Sequence, residues 1–517
     1  ALMSGKMVLT LGLSGVLMVA LAWWIKISKA KTVWRSIAVR LLNILVSALL
    51  IVLVALAGGT VYGINKIIPS RKQMNLTEYY GQNADGEAAL ILGTEKLEEK
   101  ALISGEDVYL PLDVVNGYLN QRYYWDAANK QILYATPSSL TEEPASDKTD
   151  GNVWLKDDTV YLKLDYVKEY TDIDSYIGQD PARVAIQYKF TNVETVTTKK
   201  DTVIRYRGGI KAPILSKLAK NTVLRLMNEG EDWDQVATDD GYIGYVQKKK
   251  VSAVDTTDYE RDFKTESYTY LTMDEPVNLA WHQVTSTDAN SYFADAVQNM
   301  TGVNVISPTW FSVTDNSGNI SSLASGEYVM QAHEKGLKVW GLVDNFNENM
   351  STTEVLSKTS SRQNLENQLI TYALKAGLDG INVDFESLSE EAGIHFLQFL
   401  RELSIQCHAN NLVLSVDNPV PEDFTSHYDR KEQGLVVDYV IIMGYDEHYV
   451  GSDAGFVASL PWVEQGVKDT LSEVAAQRTI LAIPFYTRLW KTTDGGALTS
   501  EAIGMDQAQQ TISDNGA

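Results

Sequence analysis

The sequence predicts a multidomain chain that begins with transmembrane helices, continues through small all-β domains and ends in an α/β barrel of the (β/α)8 type. Three observations predict this architecture. With 517 residues, the chain is long enough for three or four domains. Two long apolar stretches lie near its start. From Pro276 onward, short apolar runs alternate with helical stretches, as in a barrel of βα units.

Residues 1–72 predict a membrane anchor with one or two transmembrane helices. Met7–Ile25 and Leu41–Ile64 contain no charged residue, and about 20 apolar residues suffice to cross the hydrocarbon core. Five Lys and Arg lie between the two stretches. Because the denser basic cluster faces the cytoplasm, we expect the chain beyond the anchor to lie outside a bacterial cell membrane. A cleaved signal peptide is the alternative, but the second stretch is too long for its apolar region.

Charge and composition exclude several classes of function. The net charge is −23, and residues 1–72 hold no Asp or Glu, so the remaining chain is strongly acidic. Such a surface repels polyphosphate, and nucleic acid is therefore not an expected partner. The single cysteine, Cys407, excludes an intrachain disulfide, and the six histidines show no zinc spacing. We expect neither a metal nor a cofactor.

Residues 73–253 predict two β-rich regions. In residues 73–195, two similar runs of short strands flank the polar linker Thr136–Gly151. They resemble copper amine oxidase N-terminal-like repeats, which implies a stalk or spacer. Residues 196–253 contain about five short strands. The segments Gly230–Val236 and Asp240–Val246 resemble a bacterial Src-homology-3-like domain, which implies binding to the cell wall; a packing module without a ligand is the alternative.

Residues 270–517 predict the barrel, whose chemistry should lie at the carboxyl ends of its strands. Helical stretches such as Arg362–Ala376 separate the strands. No eighth strand is recognisable, so we expect a C-terminally truncated barrel with two unpaired edges and poor activity. The seven predicted strands are Val277–Trp281, Val303–Ser307, Val339–Asp344, Gly380–Glu386, Leu412–Asp417, Val437–Tyr445 and Thr479–Tyr486.

The fourth predicted strand carries the strongest candidate site. Because strand side chains alternate, Asn382, Asp384 and Glu386 share one face, and the apolar residues between them share the other. The apolar face should pack on helices, which leaves an amide and two carboxyls pointing into the barrel. Two neighbouring carboxyls raise one pKa and place a proton donor beside an anion. An acidic loop that caps the next helix is the alternative, which the strict alternation disfavours.

The stretch Asp379–Glu386 resembles the D-G-x-D-x-D-x-E signature of glycoside hydrolase family 18, the chitinases and related N-acetylglucosaminidases. Two further segments, Met443–Asp446 and Ala482–Trp490, resemble the family's runs at strands six and seven. The resemblance covers the chain from about Pro276 and implies three catalytic residues: Glu386 as general acid/base, with Asp384 and Tyr445 holding the substrate's N-acetyl group. The candidate substrate-binding residues are Asn382, Asp446, Met443, Trp310 and Trp490; aromatics at strand ends fill cores as often as they stack on sugars.

The resemblance also implies a substrate class and a mechanism. Family 18 hydrolyses β-linked N-acetylglucosamine glycans with retention of configuration, using the substrate's own acetamido group. Asn382 replaces the family's middle Asp; it can hold a hydrogen bond to Asp384 but cannot store a proton. The same replacement in the branch of spore-cortex and cell-wall hydrolases favours peptidoglycan over chitin. The expected partners are an N-acetylated polysaccharide, the cell wall and the membrane, with the catalytic domain extracellular. An inactive sugar-binding protein, a structural scaffold and a chitinase are the alternatives.

Overall fold

The computed structural model describes residues 33–493 and 495–516, with the backbone alone at 33–36, 38 and 55–65. The chain divides into two compact units. The first contains the described residues up to 82 together with residues 91–96 and 175–259. The second contains residues 83–90, 97–174 and 260–517. Each unit is therefore assembled from separate stretches of sequence.

The N-terminal helix α1 covers Val33–Ile67. The second predicted membrane segment, Leu41–Ile64, falls within α1, whereas the first, Met7–Ile25, lies outside the described residues. Where side chains are described, no helix is both long enough and apolar enough to qualify as a membrane span.

The region predicted as a stalk contains short strands and short helices. β3 pairs antiparallel with β2 and β8, and β4, β5 and β6 form an antiparallel meander. The polar linker Thr136–Gly151 is not a plain separator, since β6 lies within it and pairs with both β5 and β7. The elements are α2 Leu76–Tyr80, β1 Glu87–Leu92, β2 Glu95–Ser104, β3 Asp107–Pro111, α3 Leu112–Val114, a π turn Val115–Leu119, β4 Tyr123–Asp126, β5 Gln131–Ala135, β6 Leu140–Ser146, β7 Val153–Lys156, β8 Thr159–Lys163, α4 Leu164–Tyr170, β9 Asp174–Gln179 and β10 Ala182–Gln187.

The next region forms a seven-stranded sheet with the strand order β13-β12-β16-β15-β14-β11-β17. The five strands predicted from the sequence correspond to β12–β16. Gly244 allows close packing, because a Cβ there would collide with the carbonyl oxygen of Arg205. The resemblance to a Src-homology-3-like domain stays a prediction. The elements are β11 Val193–Thr197, β12 Thr202–Arg205, β13 Ile214–Leu218, β14 Val223–Asn228, β15 Trp233–Ala237, β16 Ile243–Gln247, a 3-10 turn Lys248–Lys250 and β17 Asp255–Thr257.

The C-terminal region forms a parallel sheet with the strand order β18-β19-β21-β22-β23-β24-β25. These strands correspond to the seven predicted ones and follow one another in the predicted order, so the barrel-like α/β architecture is confirmed. β20 pairs antiparallel with β19, and β18 and β25 are the end strands of the order. The strands are β18 Leu279–His282, β19 Val305–Val313, β20 Ile320–Ser322, β21 Lys338–Asp344, β22 Gly380–Asp384, β23 Val413–Pro419, β24 Tyr439–Met443 and β25 Thr479–Ala482.

Helices cover the outer face of this sheet. α9 begins after Ser389, whose Oγ accepts a hydrogen bond from Ala392 N at 3.2 Å, and α8 ends at Gly377 in the left-handed region. The predicted seventh strand is too long, because β25 ends at Ala482 and a separate hairpin follows. The remaining elements are α5 Phe293–Val297, α6 Gly326–Glu334, α7 Thr352–Ser357, α8 Thr359–Ala376, α9 Glu390–Ala409, α10 Arg430–Val436, α11 Leu460–Glu473, β26 Tyr486–Thr492, β27 Leu498–Gly504, α12 Met505–Asn515 and the 3-10 turns Asp288–Tyr292, Asp423–Tyr428 and Ala476–Arg478.

Within the second unit, β4 contacts the helices of the barrel through buried polar groups. The Tyr124 hydroxyl lies 2.7 Å from His395 Nδ1 and accepts a hydrogen bond from Arg362 at 3.2 Å. Arg362 is fully buried and forms an ion pair with Glu402 at 3.0 Å. A buried charge needs such a partner, because removing one member leaves the other uncompensated. This part of the predicted stalk is therefore packed against the barrel.

Candidate active site

The candidate site is built at the carboxyl end of β22. Asn382 is fully buried, Asp384 is half-buried and Glu386, just beyond the strand, is exposed. The intervening side chains enter the core under the helices, where the ring of Phe385 stacks on Phe399 of α9 with centroids 5.6 Å apart. The observed burial agrees with the alternation predicted from the sequence. The polar side chains of β22 therefore lie on the face of the sheet opposite the helices, near the end of the strand.

The backbone of Glu386 is held by one side chain of the neighbouring strand's loop. Glu386 N donates to Asn345 Oδ1 at 2.9 Å, and Asn345 Nδ2 donates to the carbonyl oxygen of Glu386 at 2.9 Å. The next residue, Ser387, has a φ of 53°, a conformation that costs free energy for a residue other than glycine. The backbone of Glu386 is thus held at both its N–H and its carbonyl oxygen.

Both carboxyls of the site bind protons more tightly than usual. Burial, followed by the negative charges of Glu386 and Asp344, raises the pKa of Asp384 to about 8. Burial, followed by the charges of Asp446 and Asp344, raises the pKa of Glu386. A carboxyl that can hold a proton near neutral pH, Asp384, beside a second one with a raised pKa, Glu386, provides what acid–base chemistry requires.

Tyr445 and Asp446 follow the end of β24. Burial raises the pKa of the Tyr445 phenol far above its usual range, so that it stays a hydrogen-bond donor. Asp446 is exposed, has a φ of 62° and accepts a hydrogen bond from the Tyr486 hydroxyl at 2.6 Å. Arg488 pairs with the same Asp446 oxygen at 3.5 Å. The strand end thus supplies a neutral phenol and a partly compensated carboxylate.

The sequence analysis considered a hydrogen bond from Asn382 to Asp384, but the side chain of Asn382 bonds to other residues. Its Oδ1 accepts hydrogen bonds from Trp281 Nε1 at 2.9 Å and Ser307 Oγ at 3.1 Å. Its Nδ2 donates to Asp417 Oδ1 on β23 at 2.9 Å. The amide is fully buried and its hydrogen bonds go to protein groups, so it has no exposed surface in this structure; contact between Asn382 and substrate stays a prediction.

The other predicted contact residues differ in exposure. Trp310 is 1% exposed, packs edge-on against Tyr328 and donates to Asn290 Oδ1 at 2.9 Å, as a core residue does. Its contact with sugar stays a prediction. Met443 is 9% exposed and offers little surface to a ligand. Trp490 lies on β26, is partly exposed and donates to the carbonyl oxygen of Gly455 at 3.0 Å. Of these three, Trp490 alone offers a partly exposed ring.

Three residues of the site were missed by the sequence analysis: Asp417, Asn345 and Tyr486. Asp417 has the same parity on β23 as Ser415, and this alternation could have placed it on the inner face. Asn345 directly follows β21, and Tyr486 is the first residue of β26. No spacing pattern in the sequence assigns either of them to the site. The missed residues therefore lie outside the segments that resemble a family signature or have a role that no spacing indicates.

A cavity of about 410 Å³ lies between β18 and β25 and reaches the site. Trp281, Tyr445 and Tyr486 line it together with apolar residues of the two end strands. Of the predicted catalytic residues, Tyr445 thus contacts this cavity. In the part of the chain that the structure describes, no group of His, Cys, Asp and Glu is arranged to hold a metal ion.

Comparison with known protein families identifies the family of this chain. The sequence model of the glycosyl hydrolases family 18 matches residues 241–515, more than half of the chain. The chain therefore belongs to glycosyl hydrolases family 18, and the resemblance drawn from the sequence is confirmed. The curated relatives include the uncharacterized glycosylase YvbX of Bacillus subtilis (strain 168), which is 28% identical over 211 residues, 38% of this chain and 61% of that protein. The cortical fragment-lytic enzyme of the same organism is 24% identical over 161 residues, 30% of this chain and 37% of that protein.

Coverage of the relatives is partial. The chain spans 61% of YvbX and a smaller share of the cortical fragment-lytic enzyme. Among solved structures, the chitinase from Chromobacterium violaceum ATCC 12472 has a TM-score of 0.41 at 21% identity, covering 46% of this chain and 76% of that chain. The Bacillus cereus spore cortex-lytic enzyme SleL has a TM-score of 0.41 at 18% identity, covering 48% of this chain and 59% of that chain.

A second family matches the start of the chain. Residues 1–63 match the phosphoethanolamine transferase EptA/EptB family. The phosphoethanolamine transferase EptA of Escherichia coli (strain K12) is 58% identical over 55 residues, which are 11% of this chain and 10% of that protein. The sequence analysis did not anticipate this similarity.

Proposed function

We propose that this protein is a retaining glycoside hydrolase that cleaves β-linked N-acetylglucosamine in peptidoglycan. The observation that carries the proposal is Glu386 at the end of β22, whose side chain reaches solvent while the protein packed around its carboxyl, followed by the charges of Asp446 and Asp344, raises its pKa. Half-buried Asp384 and the protonated phenol of Tyr445 belong to the same strand ends. Together they match the needs of a substrate that supplies its own nucleophile.

The proposed mechanism has two steps. Glu386 protonates the leaving glycosidic oxygen while the acetamido oxygen of the sugar attacks the anomeric carbon. Asp384, as an anion, and Tyr445, as a donor, orient the acetamido group and stabilise the positive charge that develops on it. Glu386, now a carboxylate, then takes a proton from the water that opens the cyclic intermediate, so that the configuration is retained.

The names of two relatives support peptidoglycan as the polymer. The cortical fragment-lytic enzymes of Bacillus subtilis and Bacillus anthracis are 24% and 25% identical to this chain over 161 and 155 residues. The replacement of the family's middle Asp by Asn382 points to the same branch. Chitin and its oligomers share the N-acetylglucosamine unit and are the second substrate to be tested.

The proposed site of action is the outer side of a bacterial cell membrane. The basic cluster between the two apolar stretches of residues 1–72 supports this orientation. Cell fractionation combined with protease treatment of intact cells tests it. Recovery of the full chain in the soluble fraction would contradict the proposed anchor.

The full chain is to be incubated with purified peptidoglycan and with chitin oligomers, and the products analysed by mass spectrometry. Release of reducing N-acetylglucosamine ends is expected, and Glu386→Gln should abolish it. Glu390→Gln is the matched control, because it makes the same chemical change on the exposed first turn of α9. Binding of glycan without any release would favour the inactive sugar-binding alternative, and release from chitin alone would reject peptidoglycan.

A further inference from the structure

Two carboxylates lie at one level of adjacent strands in this site. β22 and β23 run parallel, with Asn382 beside Ser415 and Val383 beside Val416. Continuing this register places Asp384 of β22 beside Asp417 of β23. Side chains of equal parity on neighbouring strands point to the same face, so both carboxyls lie on the inner face of the sheet.

Asn382 fixes the orientation of Asp417. Trp281 Nε1 and Ser307 Oγ both donate to Asn382 Oδ1, at 2.9 Å and 3.1 Å. An indole N–H can only donate, so the carbonyl end of the amide must face Trp281 and its NH2 must face Asp417. Asn382 Nδ2 then donates to Asp417 Oδ1 at 2.9 Å. The second oxygen of Asp417, Oδ2, has no hydrogen bond.

Each of the two carboxyls keeps one buried oxygen without a hydrogen bond. Among the described residues, Asp417 Oδ2 and Asp384 Oδ1 are both buried and have no partner. Asp417 itself is 1% exposed. A buried carboxylate oxygen without a donor is costly, and two adjacent buried carboxyls do not both ionise easily. A single proton held between them relieves both costs.

We infer that Asp417 is the proton reservoir of Asp384 and supplies the function that Asn382 cannot. This inference rests on the proposed function. As positive charge develops on the acetamido group, the proton of Asp384 passes to Oδ2 of Asp417: one O–H bond breaks, another forms, and the charge of the pair is unchanged. The proton returns when the product leaves. Asp417 is thus a positioning residue that acts through Asp384.

The surroundings of the pair are acidic. Burial, followed by the charge of Asp384, raises the pKa of Asp417, whereas the hydrogen bond from Asn382 lowers it. If both Asp384 and Asp417 were ionised, the second negative charge would be repelled by the acidic residues of the neighbouring strands. The pair therefore keeps its proton around neutral pH. The titratable groups around the pair are Glu386 after β22, Asp344 on β21, Tyr445 and Asp446 after β24 and Tyr486 on β26, with Arg488 paired to Asp446.

The test is Asp417→Asn, assayed for turnover of a chromogenic N-acetylglucosamine oligomer across pH. Without the reservoir, Asp384 must release its proton to solvent, so kcat should fall by about 100-fold at about pH 5 and by under about 10-fold at about pH 8. KM should change by less than about 3-fold, because the buried group does not contact substrate. Asp423→Asn, an exposed position on the following 3-10 turn, is the matched control and should behave as the parent chain.

The double variant Asn382→Asp/Asp417→Asn exchanges the amide and the carboxylate and should restore most of the lost activity. A loss of kcat that is equal at all pH values, with no recovery in the double variant, would overturn the inference. A parent chain that turns over no substrate would instead refute the proposed function. In that case the proton reservoir is tested without turnover, by 13C titration of the aspartate carboxyls. Asp417→Asn should lower the pKa of Asp384. An unchanged pKa of Asp384 would overturn the inference.

Discussion

Replacing Asn345 by alanine should weaken catalysis without touching any group that contacts substrate. Asn345 makes two hydrogen bonds of 2.9 Å to the backbone of Glu386 and a third, from Nδ2 to Thr352 Oγ1, at 2.9 Å. At about 0.5–1.5 kcal/mol for each bond to Glu386, the variant should lose about 1–3 kcal/mol of stability. A general acid whose backbone moves by a fraction of an ångström loses alignment, so kcat should fall by about 10- to 100-fold.

The assay is steady-state turnover of a chromogenic N-acetylglucosamine oligomer together with urea unfolding. KM should stay within about 3-fold of the parent value, since binding subsites are untouched. Asn349→Ala is the matched control: the same change, on an exposed residue of the same loop, should leave kcat unchanged. An Asn345→Ala protein that remains folded and keeps its full kcat would show that these hydrogen bonds do not position Glu386.

Three further outcomes are expected. Because the pKa of Asp384 is raised to about 8 in the folded chain and is about 3.9 in an unfolded one, the free energy of unfolding should fall as pH rises between these values, and Asp384→Asn should reduce that slope in urea titrations. Trp310→Phe should destabilise the fold by about 1–2 kcal/mol through its lost bond to Asn290 while leaving KM unchanged; a raised KM would support its predicted role in sugar binding. Arg362→Ala should cost about 3–5 kcal/mol, because Glu402 is left buried without its partner; a loss below about 1 kcal/mol in chemical denaturation would show that this ion pair adds little.

The strands of the barrel were predictable because their apolar runs are long and separated by helices. The run Val339–Asp344 corresponds to β21, Lys338–Asp344, with a difference of one residue. The polar inner face of β22 followed from strict alternation alone.

What could not be predicted depends on contacts between strands. Trp310 was taken to follow the end of a strand, but β19 continues to Val313 because β20 pairs with it, with Phe311 beside Ser322. Its register against β21 also shifts between Thr309 and Phe311, which changes the order in which side chains face the core. The bond from Asn382 to Asp417 crosses from one strand to the next, and no pattern within a single strand reveals it.

The stereochemistry of the first product tests the account most directly. Turnover of a β-linked N-acetylglucosamine oligomer is to be followed by proton NMR from the first minutes, before the anomers equilibrate. The β-anomer should appear first with the parent chain, and Glu386→Gln should give no product. Initial formation of the α-anomer, or an undiminished rate in Glu386→Gln, would contradict catalysis by Glu386 and the acetamido group of the substrate.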